Sequence, residues 1–191
     1  MQGLVMDTRD EILSHSSELI QTFGFNGFSY KHLSERLGIT KASIHHHFPS
    51  KEDLGIAYCQ KKMQELEDFR RSIKPLDSAV AKLRAYLEKP KTRLAAKKMC
   101  GINAMQSDLA SMSSELKSAV RKMTHLDIEI VREILADGKA SGEFTFSSDP
   151  GEYALVIVSA LKGGLQCSRL NNDDTYSAMC RTVEQMLGIR V

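Results

Sequence analysis

Between Ser29 and Lys51 the chain gathers the side chain types that bind a polyanion. Lys31, Arg36, Lys41 and Lys51 stand there against a single acid, Glu35, a local charge of +3 in a chain whose formal net charge is only +2. Bulk charge therefore does not announce nucleic-acid binding, and a local patch must carry it. Phosphate oxygens are bound by Lys and Arg, by small hydroxyls and by helix N-termini. Ser29, Thr40 and Lys51 fall at or beside expected helix starts. Ala42 and Ser43 are small, so a short helix carrying them can sink into a major groove and bring Thr40 and Lys41 to base edges. His45, His46 and His47 follow directly. Successive helical residues point about 100° apart, so these three rings cannot converge on one ion, and no metal site is expected.

Other chemistry is not signalled. No nucleophile–base arrangement, phosphate loop, paired-carboxylate motif or metal-ligand spacing appears, so the chain does not read as an enzyme and no cofactor is expected. The four cysteines, Cys59, Cys100, Cys167 and Cys180, are widely spaced, without a CxxC pair, and are expected as reduced thiols. No apolar run approaches the ~20 residues of a membrane span. The best candidate, Ala154 to Ala160, is far too short, and the opening MQGLVMDTRDE turns acidic too early for a secretory signal. The expectation is a soluble, cytoplasmic protein. Apolar residues make up 42% of the chain and aromatics are few, which allows a normal core and favours helix.

The elements that must hold the basic patch can be read from caps and periodicity. Thr8 to Gly24 is an expected amphipathic helix with Ile12, Leu19, Ile20 and Phe23 on one face and Asp10 and Glu11 in its first turn. Ser29 can cap a helix over Tyr30–Leu37, Gly38 breaks it, and Thr40 can cap a short third helix, Lys41–His47. Ser50 and Asp53 form a capping box for a fourth helix reaching about Ile73. Residues 29–48 thus have helix-turn-helix spacing, with Leu33, Leu37, Ile39, Ile44 and Phe48 as the small core beneath. Further helices are expected over Leu76–Glu88, Thr92 to about Ala110, Ser114–Ala140, Asp149–Leu170 and Asp173–Leu187.

The run SYKHLSERLGITKASIHHHFPSKEDL, with Thr8-Arg9 upstream, resembles the DNA-binding domain of the TetR family of regulators. The matching elements are Gly38-Ile39-Thr40-Lys41, His45-His46-His47-Phe48 and Ser50-Lys51-Glu52-Asp53-Leu54; His45 stands where most members carry Tyr. The resemblance implies an all-α protein with about nine helices. Residues 6–66 would form a three-helix helix-turn-helix domain, and residues 67–191 a helical ligand-binding and dimerisation domain. Ser29, Tyr30, Thr40, Lys41, Ala42, Ser43, His45, His46, His47 and Lys51 are the implied contacts to a double-stranded DNA operator.

The same resemblance pairs the last two long helices with those of a second copy into a homodimer, through Leu155, Val158, Leu161, Gly163, Gly164, Met179, Val183 and Met186. Close backbone approach there would account for Gly163-Gly164, as would a local kink. An unknown small-molecule effector would bind among the helices spanning 78–140, with Met99, Met123, Asn103, Gln106 and Cys100 as candidates. Some relatives carrying a Cys at this helix answer electrophiles or oxidants, and Lys97 and Lys98 could lower the Cys100 thiol pKa if they face it. The expected function is a sequence-specific repressor released when ligand changes the separation of two recognition helices. A ligand-dependent activator and a thiol-sensing repressor acting through Cys100 are the alternatives.

Overall fold

Hydroxyl and carboxylate caps set where the helices of the N-terminal half begin. Thr40 Oγ1 accepts the Ser43 N–H at 3.1 Å, and Ser50 and Asp53 exchange bonds, Asp53 N–H to Ser50 Oγ at 3.1 Å and Ser50 N–H to Asp53 Oδ2 at 2.9 Å. The computed structural model describes residues 7–90, 94–171 and 174–189. Among them, nine α-helices of at least seven residues follow in order, and no strand occurs. They are α1 (Thr8–Phe23), α2 (Tyr30–Leu37), α3 (Lys41–His47), α4 (Lys51–Ile73), α5 (Ala79–Glu88), α6 (Gly101–Ser107), α7 (Ser114–Ser141), α8 (Pro150–Asn171) and α9 (Thr175–Met186). Gly38 closes α2 at φ +67°, a left-handed turn that costs a glycine little. No helix among the described residues is long and apolar enough to cross a membrane.

The chain divides into two compact units. The first holds the residues up to Lys62 together with Gly101–Met123; the second holds Met63–Cys100 and the chain from Thr124 onward. The first unit therefore includes a segment from the middle of the chain. Its core is built from Ile12, Ile20, Leu33, Ile44, Phe48, Leu54 and Tyr58, joined by Met105, Leu116 and Met123.

Several expectations are corrected. Phe23 is 60% exposed, whereas Ser16 and Gln21 are buried on α1. The polar pair is tolerated because Ser16 Oγ donates to the Ile12 carbonyl at 2.6 Å and the Gln21 amide to the Ser17 carbonyl at 3.0 Å. Leu37 and Ile39 flank the exposed Gly38 turn and are half-buried, which leaves Leu33, Ile44 and Phe48 as the core below the helix-turn-helix. The single helix expected from Thr92 to Ala110 does not form. Thr92 lies outside the described residues, Lys97 takes a left-handed φ of +53°, and α6 starts only at Gly101, with a short 3-10 turn at Leu109–Ser111 after it. A Cβ at residue 101 would stand 1.9 Å from the Tyr58 hydroxyl oxygen, so only glycine fits at the start of α6. The expected start of the last helix, Asp173, also lies outside the described residues.

In the second unit Leu83, Tyr86, Ile130, Ile134, Ile157, Leu161, Tyr176 and Val183 are buried together with their neighbours. Tyr176 Oη donates to the Leu87 carbonyl at 3.0 Å, tying α9 to α5. Glu143 accepts the Ala79 and Val80 N–H groups at 3.1 and 3.2 Å, and these bonds hold its carboxyl below the usual range.

Candidate nucleic-acid interface

The short helix α3 turns its apolar residue inward and its polar ones outward. Ile44 is fully buried, while Lys41, Ala42, His45 and His46 are exposed and Ser43 and His47 are half-buried. Thr40 and Ser29, at the starts of α3 and α2, are exposed as well. Ser29 N–H donates to His32 Nδ1 at 3.1 Å, which closes the open end of α2 with a side chain three residues on. His45 Nδ1 lies 3.0 Å from the Pro49 carbonyl oxygen, and its ring stands edge-on to Tyr30 at 4.7 Å. A carbonyl oxygen only accepts, so Nδ1 carries the proton in that contact.

Two expected contacts are drawn inward instead. Tyr30 is buried, and its hydroxyl lies 2.6 Å from the Ser50 carbonyl and 2.9 Å from the Phe48 carbonyl. It ties α2 to the start of α4. The Lys51 ammonium is half-buried, donates to the Phe28 carbonyl, and sits over the Phe25 and Phe28 rings at 5.0 and 4.5 Å. Burial lowers its pKa, an effect the negative charge of Asp108 opposes. Lys51 thus clamps the α1–α2 link, and its charge is not held out toward solvent.

The local charge also changes character. Arg36 pairs with Glu18 of α1 and donates to His15 Nδ1 at 3.1 Å, and Lys31 lies 3.8 Å from Glu35. Counting charge over a stretch of sequence treated Glu18 as outside the patch; packing of α1 on α2 brings it in. Lys41 is left as the exposed cation at the start of α3. Sequence reasoning used Arg9 only as part of the family resemblance, yet its guanidinium lies 5.0 Å from the Phe48 ring centroid at the end of α3. Its place in the Thr8-Arg9 pair was the available signal.

The other sequence candidates are dispersed. Met99 and Cys100 belong to the second unit and are half-buried; Asn103 and Gln106, half-buried, and Met123, buried, belong to the first. What the second unit gathers is a polar cluster the sequence did not mark. Tyr86 Oη donates to Asp127 Oδ1 at 3.1 Å, and the Lys162 ammonium lies 3.0 Å from Asp127 Oδ2, both members of that ion pair being largely buried. Burial first, then the charge of Asp127 and the neighbouring Cys100, holds the Tyr86 hydroxyl well above its ordinary pKa. Of the expected dimer contacts, Val158, Leu161 and Val183 are buried within their own chain. Gly164 is buried too, its missing Cβ leaving room for Met179. Leu155, Gly163 and Met186 are exposed, and Val156 and Leu170, which sequence reasoning passed over, join them on the surface.

Residues 12–58 match the family described as bacterial regulatory proteins, tetR family. The chain is 23% identical over 164 residues to the HTH-type transcriptional repressor NemR of Escherichia coli (strain K12), covering 82% of this chain and 81% of that protein. Among solved structures, it resembles a TetR transcriptional regulator from Legionella pneumophila with a TM-score of 0.88 at 28% identity, over 96% of this chain and 99% of that one. The fold is also that of FadR from Bacillus subtilis in complex with stearoyl-CoA, with a TM-score of 0.74 at 21% identity over 95% and 99% of the two chains.

Proposed function

We propose that the chain is a DNA-binding transcriptional regulator of the TetR family, a homodimeric repressor which a small-molecule effector releases from its operator. The observation that carries the reading is the outer surface of α3, which presents Lys41, Ala42, His45 and His46 and no acidic residue. Thr40, Lys41 and Ala42, with Ser43 beside them, read base edges; His45 Nε2 accepts there, and His46 adds ring nitrogens that can donate or accept. Ser29 and the exposed Arg9 bind phosphates and set the register. His47, half-buried, sits at the margin of that surface.

The repressor sign is supported by the E. coli relative, which is itself named a repressor. Effector binding belongs to the second unit, where Tyr86, Asp127 and Lys162 offer buried polar groups beside Cys100. A ligand able to hydrogen-bond there is rewarded strongly, because low-dielectric surroundings amplify each polar contact. The homodimer is supported by the exposed uncharged residues Leu155, Val156, Gly163 and Leu170 on α8, and by the exposed Met186 on α9. A two-fold dimer presents two α3 helices to half-sites about 34 Å apart, and changing their separation releases DNA. Such a protein works in the cytoplasm, where its operator lies.

The test is selection of bound DNA from a random pool by the purified protein, followed by titration at several salt concentrations. A defined, two-fold-related site is expected, with an affinity that falls steeply with salt at roughly 0.9 log units per neutralised phosphate. Lys41→Ala should alter which bases are selected. Recovery of no preferred sequence, with binding insensitive to salt, would overturn the regulator reading for this chain.

A further inference from the structure

The stretch after α6 reaches back to the reading head across more than eighty residues of sequence. Asp108 Oδ2 accepts the backbone N–H of Asn26 at 2.9 Å, and Ser111 Oγ accepts the Asn26 side-chain amide at 2.8 Å. Further on, the Ser113 N–H donates to Glu52 Oε1 at 2.8 Å, in the first turn of α4. All of these residues lie in the first unit. Asn26 sits in the short link that joins α1 to α2, three residues before Ser29. At the near end of that link a Cβ on Gly24 would meet Asp108 Oδ2 at 3.1 Å; at its far end the Phe28 carbonyl holds the Lys51 ammonium, which also feels the charge of Asp108. The Asp108 carboxylate is thus the common neighbour of the link and of the start of α4.

That placement has a mechanical consequence. The link is anchored on its apolar side by Phe25 and Phe28, whose rings meet edge-on at 6.4 Å. Its exposed backbone depends on Asp108 for an acceptor. Hydrogen bonds to phosphate tolerate only a few tenths of an ångström of drift in donor position. If the link slides, Ser29 and the start of α2 slide with it. We infer that Asp108 is a positioning residue for operator binding, holding the α1–α2 link and the start of α4 in the arrangement that DNA requires. The inference rests on the operator-binding reading above.

Electrostatics alone demands the opposite sign. Deleting a carboxylate from a DNA-binding unit should strengthen its attraction to a polyanion. A positioning role makes the same deletion weaken binding. The experiment measures operator affinity of D108A, D108N and S111A by fluorescence anisotropy, on the DNA the parent protein selects from a random pool, well below each variant's melting midpoint. D108A is expected to bind about tenfold more weakly, the range of a lost charge-assisted hydrogen bond. D108N keeps an oxygen for the Asn26 N–H and should stay within about threefold of the parent. S111A, which removes the bond to the Asn26 amide together with the bond the Ser111 hydroxyl donates to the Asp108 carbonyl, should weaken binding about threefold and serves if D108A does not fold. The dependence on salt should be the same for parent and variants, because Asp108 touches no phosphate. D108A or S111A binding as tightly as the parent, or D108N as weak as D108A, overturns the inference. A parent that selects no DNA fails at the earlier step and indicts the operator reading instead.

Discussion

Tyr30 lies at the start of α2 with its hydroxyl turned inward, dividing a single proton between the carbonyls of Phe48 and Ser50. Its residue type made it a plausible DNA contact, since Tyr is apolar in body and polar at the tip. Which end faces water is a matter of packing, and here the ring meets His45 while the hydroxyl meets the turn before α4. Tyr30→Phe should therefore cost about 1–2 kcal/mol in chemical denaturation while leaving base preference unchanged. Burial, with the charge of Asp53 adding to it, raises the Tyr30 phenol above its ordinary pKa, and burial, with the charge of Asp127, raises Tyr86 as well. The folded protein then keeps protons that the unfolded chain surrenders. The stability this confers is complete below the free tyrosine pKa of about 10 and is lost as pH rises above it. Helix content followed by circular dichroism should fall on the alkaline side of about pH 10, and Tyr30→Phe should lessen the drop. A profile flat to still higher pH would contradict this account. Lys51 is the same lesson with a charge. Its position after a cap was legible in the sequence, and the carbonyl and two rings that receive its ammonium were not.

At the scale of elements, caps and breaks were legible because they are local. Thr40, Ser50 with Asp53, Gly38 and Pro150 set helix ends through atoms within a few residues of themselves. The break before α6 is not local. At the start of α6 the constraint comes from Tyr58, in another helix, which occupies the space a side chain at residue 101 would need. The same holds for the tie between α7 and α8, where Asp127 and Lys162 meet inside the second unit although each alone reads as a surface charge. Removing one partner strands the other in low dielectric. Lys162→Met should cost about 3–5 kcal/mol in denaturant unfolding, and adding Asp127→Asn should restore a large part of it. Additive losses in that double-mutant cycle would mean that the two side chains do not depend on each other.

At the scale of the whole molecule, the exposed apolar residues of α8 need a partner in the reading proposed here. Leu155, Val156 and Leu170 are 54%, 55% and 85% exposed, too much apolar surface on one helix to leave in water without cause. Leu155→Glu should therefore convert a sedimenting dimer to a monomer and weaken operator binding by at least about tenfold, because two half-sites are no longer held together. A variant that still sediments as the parent does would remove α8 from the interface. Read from the chain alone, hydrophobic periodicity marked α8 as buried on many faces but could not apportion those faces. Val158 and Leu161 went to the chain's own core and Leu155 to its surface, since a stripe this wide is consistent with several rotations of the same helix. The sequence by itself determined the all-helical architecture, the helix-turn-helix at residues 29–48 and the outward hydroxyls and amine of Thr40 and Lys41, because caps, glycine turns and short-range spacing act within a few residues. Tertiary structure alone decided that Glu18 neutralises Arg36, that Lys51 and Tyr30 turn inward, and that Asp108 holds Asn26. Those are meetings between residues far apart in the chain, and only the packing of one helix on another brings their charges and hydrogen bonds within reach.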